Sequence, residues 1–474
     1  MNFVVDAEQT EDYLLTEYRL EQQGRLVSDA MVAPGVTADC FLRYAAGRPR
    51  FLWHDGRNGV TFAGMGTAVD LMAWGETRFR GIERQARELF SNAVALHTED
   101  PLAAPRLFGG FAFREDFVPD FAWHGFNPAH FILPHFQLVQ HDGQSWLTIN
   151  ALAPADEDPA ETAPQLREAL GLCYRELCAW AGRGDTPAAA PVQPEAAISY
   201  PMSYPIWAEM ITQAQAQFRT TPLDKVVLAR VCEVRRPQAV DLTGALAYLQ
   251  QTYPDCYTFL FEPQPQHAFF GATPELLAST SGTRVQTMGL AGSIQRGKTT
   301  AEDEALAAEL LNSAKDRHEH ALVVAALQQR LTPLTSQLAI PNEPVIYRLS
   351  NIQHLYTPVV GTLRESLGIL PLVEVLHPTP ALGGAPRDLA LAFISAAEPV
   401  PRGWYAGPVG WIDQQLDGAF GVAIRSAVAQ DRRVWLYAGA GIVDASVPEK
   451  EWAETGWKFR PIQAALGIES TAQV

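Results

Sequence analysis

The sequence predicts an α+β protein built on large antiparallel sheets. Three observations carry that expectation. KVVLARVCEV (225–234) is a continuous β-branched run, as in a strand buried on both faces. GAFGVAIRSAVAQ and RVWLYAGAGIV, joined by DRR, read as a hairpin. Helical segments interleave with such hairpins without the regular strand–helix–strand rhythm of a doubly wound parallel sheet.

In chain order, the runs FLWH, VTFAGM, LFGGFAF and HFILPHFQLVQ read as strands around one helix at about 79–97. RLFGGFAF and GWYAGPVGWID share an aromatic–glycine pattern, too short a match to establish duplication. No repeat of 20 to 50 residues occurs, so a solenoid or propeller is not expected. The acidic loop APADEDPAET (153–162) precedes QLREALGLCYRELCAW, which has helical spacing. GRGDTPAAAPVQPEAA (182–197) reads as an exposed connector. It separates an N-terminal part, 1–181, from a C-terminal part, 198–474, a boundary in sequence that need not divide independent domains.

Beyond the connector, Ser203 is placed to cap a helix carrying Trp207, Met210, Ile211, Ala214 and Phe218 on one face. HAFFGA and RVQTMGLAG read as strands. Further helices are expected over roughly 302–331 and 387–397.

Composition limits what the chain can do. Its 474 residues are 47% hydrophobic and 19% charged, ordinary globular proportions. Lys plus Arg number 36 against 53 Asp plus Glu, a net charge of −17. Such a chain, without a basic block, is ill suited to nucleic acid or an anionic membrane, and any anionic ligand needs locally placed cations. Cys40, Cys173, Cys178, Cys232 and Cys256 form no C-x-x-C pair, so neither a zinc site nor a disulfide framework is signalled. The first residues lack a secretory pattern, and no apolar run approaches the roughly 18 residues that would span a bilayer. The expectation is a cytoplasmic protein.

Several residues carry potential chemistry. Lys225 opens the buried strand on the face of Val227, Ala229 and Val231. Burial disfavours its charged form and suits it to base catalysis, whereas a lysine at a strand edge can equally snorkel to water. Glu275 in GATPELL lies where Thr-Pro-Glu resembles a helix start, either complementing the helix dipole or serving as a protonated general acid. Glu319 follows Lys315 by one turn, and Glu451, Glu454 and Lys458 share a helical face. Both patterns suit solvated ion pairs, or else carboxylates from two helices meeting at one Mg²⁺. HPTPALGGAPR carries His377 in a Pro/Gly loop. The glycines of YAGAGIV mark either a turn or an N–H cradle for a carboxylate. Arg425, within the apolar AIRSAV, calls for an anionic partner, either internal or a ligand. No phosphate-binding glycine motif occurs in the right context.

Taken together and in this order, KVVLAR, GATPELL, LAGSIQRG, KDRHEH, HPTPALGG, the Arg425 strand, YAGAGIV and EWAETGWK resemble the chorismate-utilising enzymes, most closely isochorismate synthases. The motifs span about 200–463, with looser likeness in FLWHDG and LFGGFAF. FLWHDG…FAGMG, LFGGFAF and the chain length look more like the menaquinone-pathway isochorismate synthases than the shorter siderophore type. The resemblance implies two antiparallel sheets packed as a sandwich with helices outside, and Mg²⁺-dependent conversion of chorismate to isochorismate. It implies Lys225 as the base activating water, Glu275 as the acid, and Glu319 and Glu454 as metal ligands, with Asp316 and Glu451 accessory. Arg425, Tyr405, Lys458, Gly439 and Gly441 would hold the enolpyruvyl carboxylate, and Gly292, Ser293 and His377 would line the ring side. Ala291 replaces the lysine of the P-I-K-G-T motif common in aminodeoxychorismate synthases, and Lys225 stands where anthranilate synthases generally carry glutamine. No glutamine amidotransferase partner is therefore expected. Ser293 replaces the family's usual threonine. Salicylate synthase is the alternative enzyme, and a non-catalytic chorismate-binding protein the alternative of another class.

Overall fold

The computed structural model describes residues 24–98, 100–154, 158–182 and 196–468. Most of the expected connector, residues 183–195, lies outside the described residues. No helix among the described residues is long and apolar enough to cross a membrane.

Two large sheets dominate. The first runs, in spatial order, through Ala197–Ser199, Lys225–Arg235, Arg433–Ile442, Ser426–Gln430, His267–Thr273 and Tyr257–Gln264. It continues through Arg50–Asp55, Val60–Met65, Phe136–His141, Gln144–Ala153, Arg25–Val32 and Val94–Leu96. The second runs through Thr335–Ala339, Ile352–Leu363, Arg284–Gln295, Leu276–Ser281, Gly418–Val422, Pro408–Asp413, Arg106–Phe111, Ala129–Leu133 and Val69–Ala73. Pairing is antiparallel apart from the short parallel contact of Arg25–Val32 with Val94–Leu96. In both sheets, strands from before and after the connector meet side by side. Arg50–Asp55 pairs Tyr257–Glu262, and Arg106–Gly110 pairs Val409–Asp413. The two aromatic–glycine runs are thus neighbours in one ladder.

The main core fills the space between the sheets. Strand alternation sends Phe51 and Trp53 into it, with Phe51 stacked on Phe108 of the other sheet at 6.4 Å. Leu52 faces the opposite way, joining a second core beneath the helices Ala38–Tyr44, Pro159–Ala181, Leu242–Thr252 and Pro448–Ala465. Each fully buried Phe or Leu is worth about 1.5–3 kcal/mol over exposure.

Several apolar runs that read as single strands are broken where the chain changes sheet. HFILPHFQLVQ divides around Pro134, whose ring cannot donate to a ladder. The run through Arg425 divides into Gly418–Val422 and Ser426–Gln430, and Arg425 itself sits in the break at φ +50°. Thr-Pro-Glu begins no helix, because Pro274 and Glu275 join His267–Thr273 in one sheet to Leu276–Ser281 in the other. The helix expected over 302–331 is two, Thr300–Asn312 and Ala314–Leu331, parted by Ser313, which caps the second by accepting from Asp316 N at 3.2 Å. The helix expected near 79–97 ends at Ser91. Ser203 does precede its helix, but its side chain makes no capping bond. Arg387–Ala397 forms as expected.

Candidate active site

A cavity of about 790 Å³, counting its open mouth, lies where these sheet changes, the Lys225–Arg235 strand and two helices converge. Its lining includes Glu275, Gly292, Ser293, Asp316, Glu319, Glu454, Lys458, Tyr405, Arg425, Gly439 and Gly441.

Lys225 lies just behind this lining, fully buried, and its Nζ donates to Glu319 Oε1 at 2.8 Å. The open alternatives at Lys315–Glu319 resolve here: Glu319 pairs with Lys225, while Lys315 pairs with Glu451 at 2.8 Å. Glycine at 441 is what lets the first pair form. A Cβ there would stand 2.5 Å from Glu319 Oε1 and 3.2 Å from Lys225 Cε. Gly439 and Gly441 are ladder residues opposite Ala229 and Val227, not a turn.

Glu275 is buried, and both peptides flanking its Cα are held. Its N–H donates to Thr273 Oγ1 at 3.2 Å, and its carbonyl accepts from Val422 N at 3.0 Å. Burial, opposed by Lys225 and Lys458, pushes its carboxyl up to about 8. It is therefore a neutral acid at pH 7. Burial alone would also raise Glu319, but Lys225, Lys458 and Lys315 outweigh it and hold that carboxyl below its ordinary value. Two carboxylic groups in one cavity thus have opposite protonation, the pattern of an acid beside an electrostatic anchor.

Arg425 donates to His354 Nε2 at 2.9 Å, which leaves Nδ1 as the protonated nitrogen. Nδ1 then donates to Ser293 Oγ at 2.9 Å, so the Ser293 hydroxyl proton is free for another acceptor. Burial, Arg425 and Lys458 push His354 well below the ordinary histidine value and keep it neutral. Tyr405 stacks on Tyr437 at 5.3 Å, and Tyr437 accepts from Trp123 Nε1 at 2.9 Å. Lys458 bridges Glu454 at 2.7 Å and the Gly439 carbonyl at 2.9 Å. Arg425, Lys458 and Lys315 thus bring cations to the cavity of this acidic chain, where Asp316, Glu319 and Glu454 are also present.

His377 does not line the cavity. Its ring is buried between Phe79 and Phe113 with Nε2 on the Phe113 carbonyl at 3.0 Å, a structural placement. Glu451 also lies behind the lining, held by Lys315. The sequence reading did not single out His354 or Tyr437, and it took Lys315 only as an ion-pair partner. The histidine sits on the Ile352–Leu363 strand beside Arg284–Gln295, and only that pairing brings it to Ser293.

Asp316, Glu319 and Glu454 suit an oxygen-preferring divalent cation. The carboxylates repel one another: burial, then Glu319 and Glu454, raise Asp316 against Ser313 and Lys315, while burial and Glu454 raise Glu451. Among the described residues no three His, Cys, Asp or Glu side chains gather as a complete metal site. A cation here would take a few protein oxygens, with substrate and water supplying the rest.

The chain is similar to known proteins along nearly its whole length. The model of the family described as chorismate binding enzyme matches residues 14–467. The isochorismate synthase MenF of Bacillus subtilis is 34% identical over 426 residues, 89% of this chain and 88% of the relative. The salicylate biosynthesis isochorismate synthase of Pseudomonas aeruginosa is 36% identical over 407 residues, covering 86% and 83%. The structure of MenF, the menaquinone-specific isochorismate synthase of Escherichia coli, superposes with a TM-score of 0.75 at 25% identity, covering 96% of this chain and 98% of that one.

Proposed function

This chain belongs to the chorismate-binding enzymes, and from that membership we propose that it is an isochorismate synthase, an isomerase of the menaquinone type. The observation that carries the reading is the buried Glu275 in one cavity with Glu319, which Lys225 holds from behind the lining. Chorismate carries two carboxylates, and Arg425 and Lys458 are cations of the lining available to pair with the enolpyruvyl carboxylate. The base step requires Lys225 as the neutral amine, so that Nζ takes a proton from water as the water oxygen bonds to ring C2. The ring double bond shifts, and the C4 hydroxyl departs with the proton of Glu275 as water. One water is gained and one lost, so the product is an isomer. A positioned base and acid each contribute typically about 10²–10⁴-fold.

Glu319 and Glu454, with Asp316 nearby, are the residues that would hold Mg²⁺. When bound, that ion would supply Lewis-acid charge and orientation for the substrate. The reaction needs no ammonia and hence no amidotransferase subunit.

The deciding experiment is product identification from purified protein, chorismate and Mg²⁺, with and without EDTA. Isochorismate that disappears with EDTA is the expected result. Salicylate and pyruvate would move the assignment to salicylate synthase, and unconsumed chorismate would leave a binding protein.

A further inference from the structure

The hairpin turn between Arg50–Asp55 and Val60–Met65 lies in the N-terminal part, yet its Arg57 reaches the segment that carries Glu275. Arg57 NH2 donates to the Pro274 carbonyl at 3.0 Å and to Tyr347 Oη at 3.0 Å, and its Nε donates to the Asp255 carbonyl at 3.0 Å. The guanidinium lies 5.3 and 5.1 Å from the ring centres of Tyr257 and Tyr347. The turn is itself fixed, with Asp55 Oδ1 accepting from the N–H groups of Arg57 and Asn58 at 3.0 and 3.2 Å. At Gly56 a Cβ would fall 1.7 Å from the Pro254 carbonyl oxygen, so the turn docks directly on the 254–256 backbone.

The Pro274 carbonyl and the Glu275 N–H belong to one peptide plane. Arg57 holds its oxygen and Thr273 its nitrogen, while Val422 holds the next peptide. Together these bonds set the direction in which the Glu275 side chain leaves the backbone. We propose that Arg57 is the positioning residue of Glu275: it aims the carboxyl at the substrate by clamping the 274–275 peptide, and so makes the N-terminal part a working component of the site. The proposal rests on Glu275 being the acid. Among the described residues Arg57 makes no hydrogen bond to the Glu275 carboxylate, so it acts through the backbone. Misplacing a reacting group by about 1 Å can cost about 10²-fold in rate.

The test is a double-mutant cycle with Arg57→Ala, Arg57→Lys, Glu275→Gln and the combined variants, reading kcat and KM for chorismate. Arg57→Ala should lower kcat by up to about 10²-fold with KM little changed. Arg57→Lys should recover only part, because an ammonium lacks the fork that reaches three acceptors. In the Glu275→Gln background, Arg57→Ala should cost nothing further. An equal loss in both backgrounds would show a merely structural arginine and overturn the proposal while leaving the acid assignment intact. Wild-type kcat in Arg57→Ala beside a slow Glu275→Gln would do the same. Full activity in Glu275→Gln alone would remove the acid assignment and the proposal together. Should Arg57→Ala fail to fold, the Arg57→Lys arm of the cycle decides by the same comparison.

Discussion

Glu275 is a carboxyl buried well away from water. A carboxyl held at about 8 donates its proton below that pH and not above it, so kcat/KM should fall as pH rises through about 8. Glu275→Gln should lack that limb in its residual activity, and a pH–rate profile checks both. The same shift has a sign for stability. Between the ordinary carboxyl value of 4.5 and about 8, the folded chain binds one more proton at this position than the unfolded chain does. Stability therefore falls with rising pH across that window. Wild type should lose melting temperature relative to Glu275→Gln between pH 5 and 8; a constant difference would mean that the carboxyl is ionised throughout. At this scale the sequence showed which groups are ionisable but not what they touch. Lys225 and Glu319 lie 94 positions apart, and nothing local says that they meet. His377 drew notice because it stands in a distinctive Pro/Gly loop, whereas His354 stands in an ordinary strand and is the one that reaches the cavity.

Strands and helices with strong periodicity were legible. The Lys225 strand and the Arg387–Ala397 helix follow from their own residues. What sequence hid were the breaks: an apolar run looks the same whether it stays in one sheet or passes into another. Two of those breaks place Glu275 and Arg425, so the elements hardest to read are the ones that build the site. The Arg433–Ile442 strand yields a sharper prediction through its two cavity glycines. At Gly441 an added methyl meets the movable ends of Glu319 and Lys225, whereas at Gly439 it meets the Leu228 carbonyl oxygen at 2.8 Å, which belongs to a paired strand. Gly441→Ala should therefore cost activity, about 10²-fold if the pair moves by an ångström, with little change in melting temperature. Gly439→Ala should lower the melting temperature. Thermal melts and steady-state rates on both variants check the contrast, and equal thermal losses would deny it.

Across the whole molecule, the seam between the two parts of the sequence runs through both sheets. Tyr257–Glu262 is hydrogen-bonded along its length to Arg50–Asp55, and Val409–Asp413 to Arg106–Gly110. Arg50 crosses the seam to Glu262 at 2.5 Å, where burial already pushes the Glu262 carboxyl up despite that partner. Removing one member of a buried pair typically costs about 3–5 kcal/mol, because the other charge stays desolvated. Cutting the chain at the composition break would strip Arg50 from Glu262, open two sheet edges and uncover the inner faces around Phe259 and Phe261. Residues 198–474 expressed alone should accordingly aggregate or melt without cooperativity, even though nearly all the site residues fall within them. Co-expressed with residues 1–181, they should recover a cooperative transition and chorismate turnover, since the missing strands return to their ladders. A monodisperse 198–474 fragment with a cooperative melt would show that the C-terminal sheets close without the N-terminal strands. If such a fragment also turned over chorismate at the full rate, Arg57 could not be aiming Glu275, because the turn that carries it would be gone.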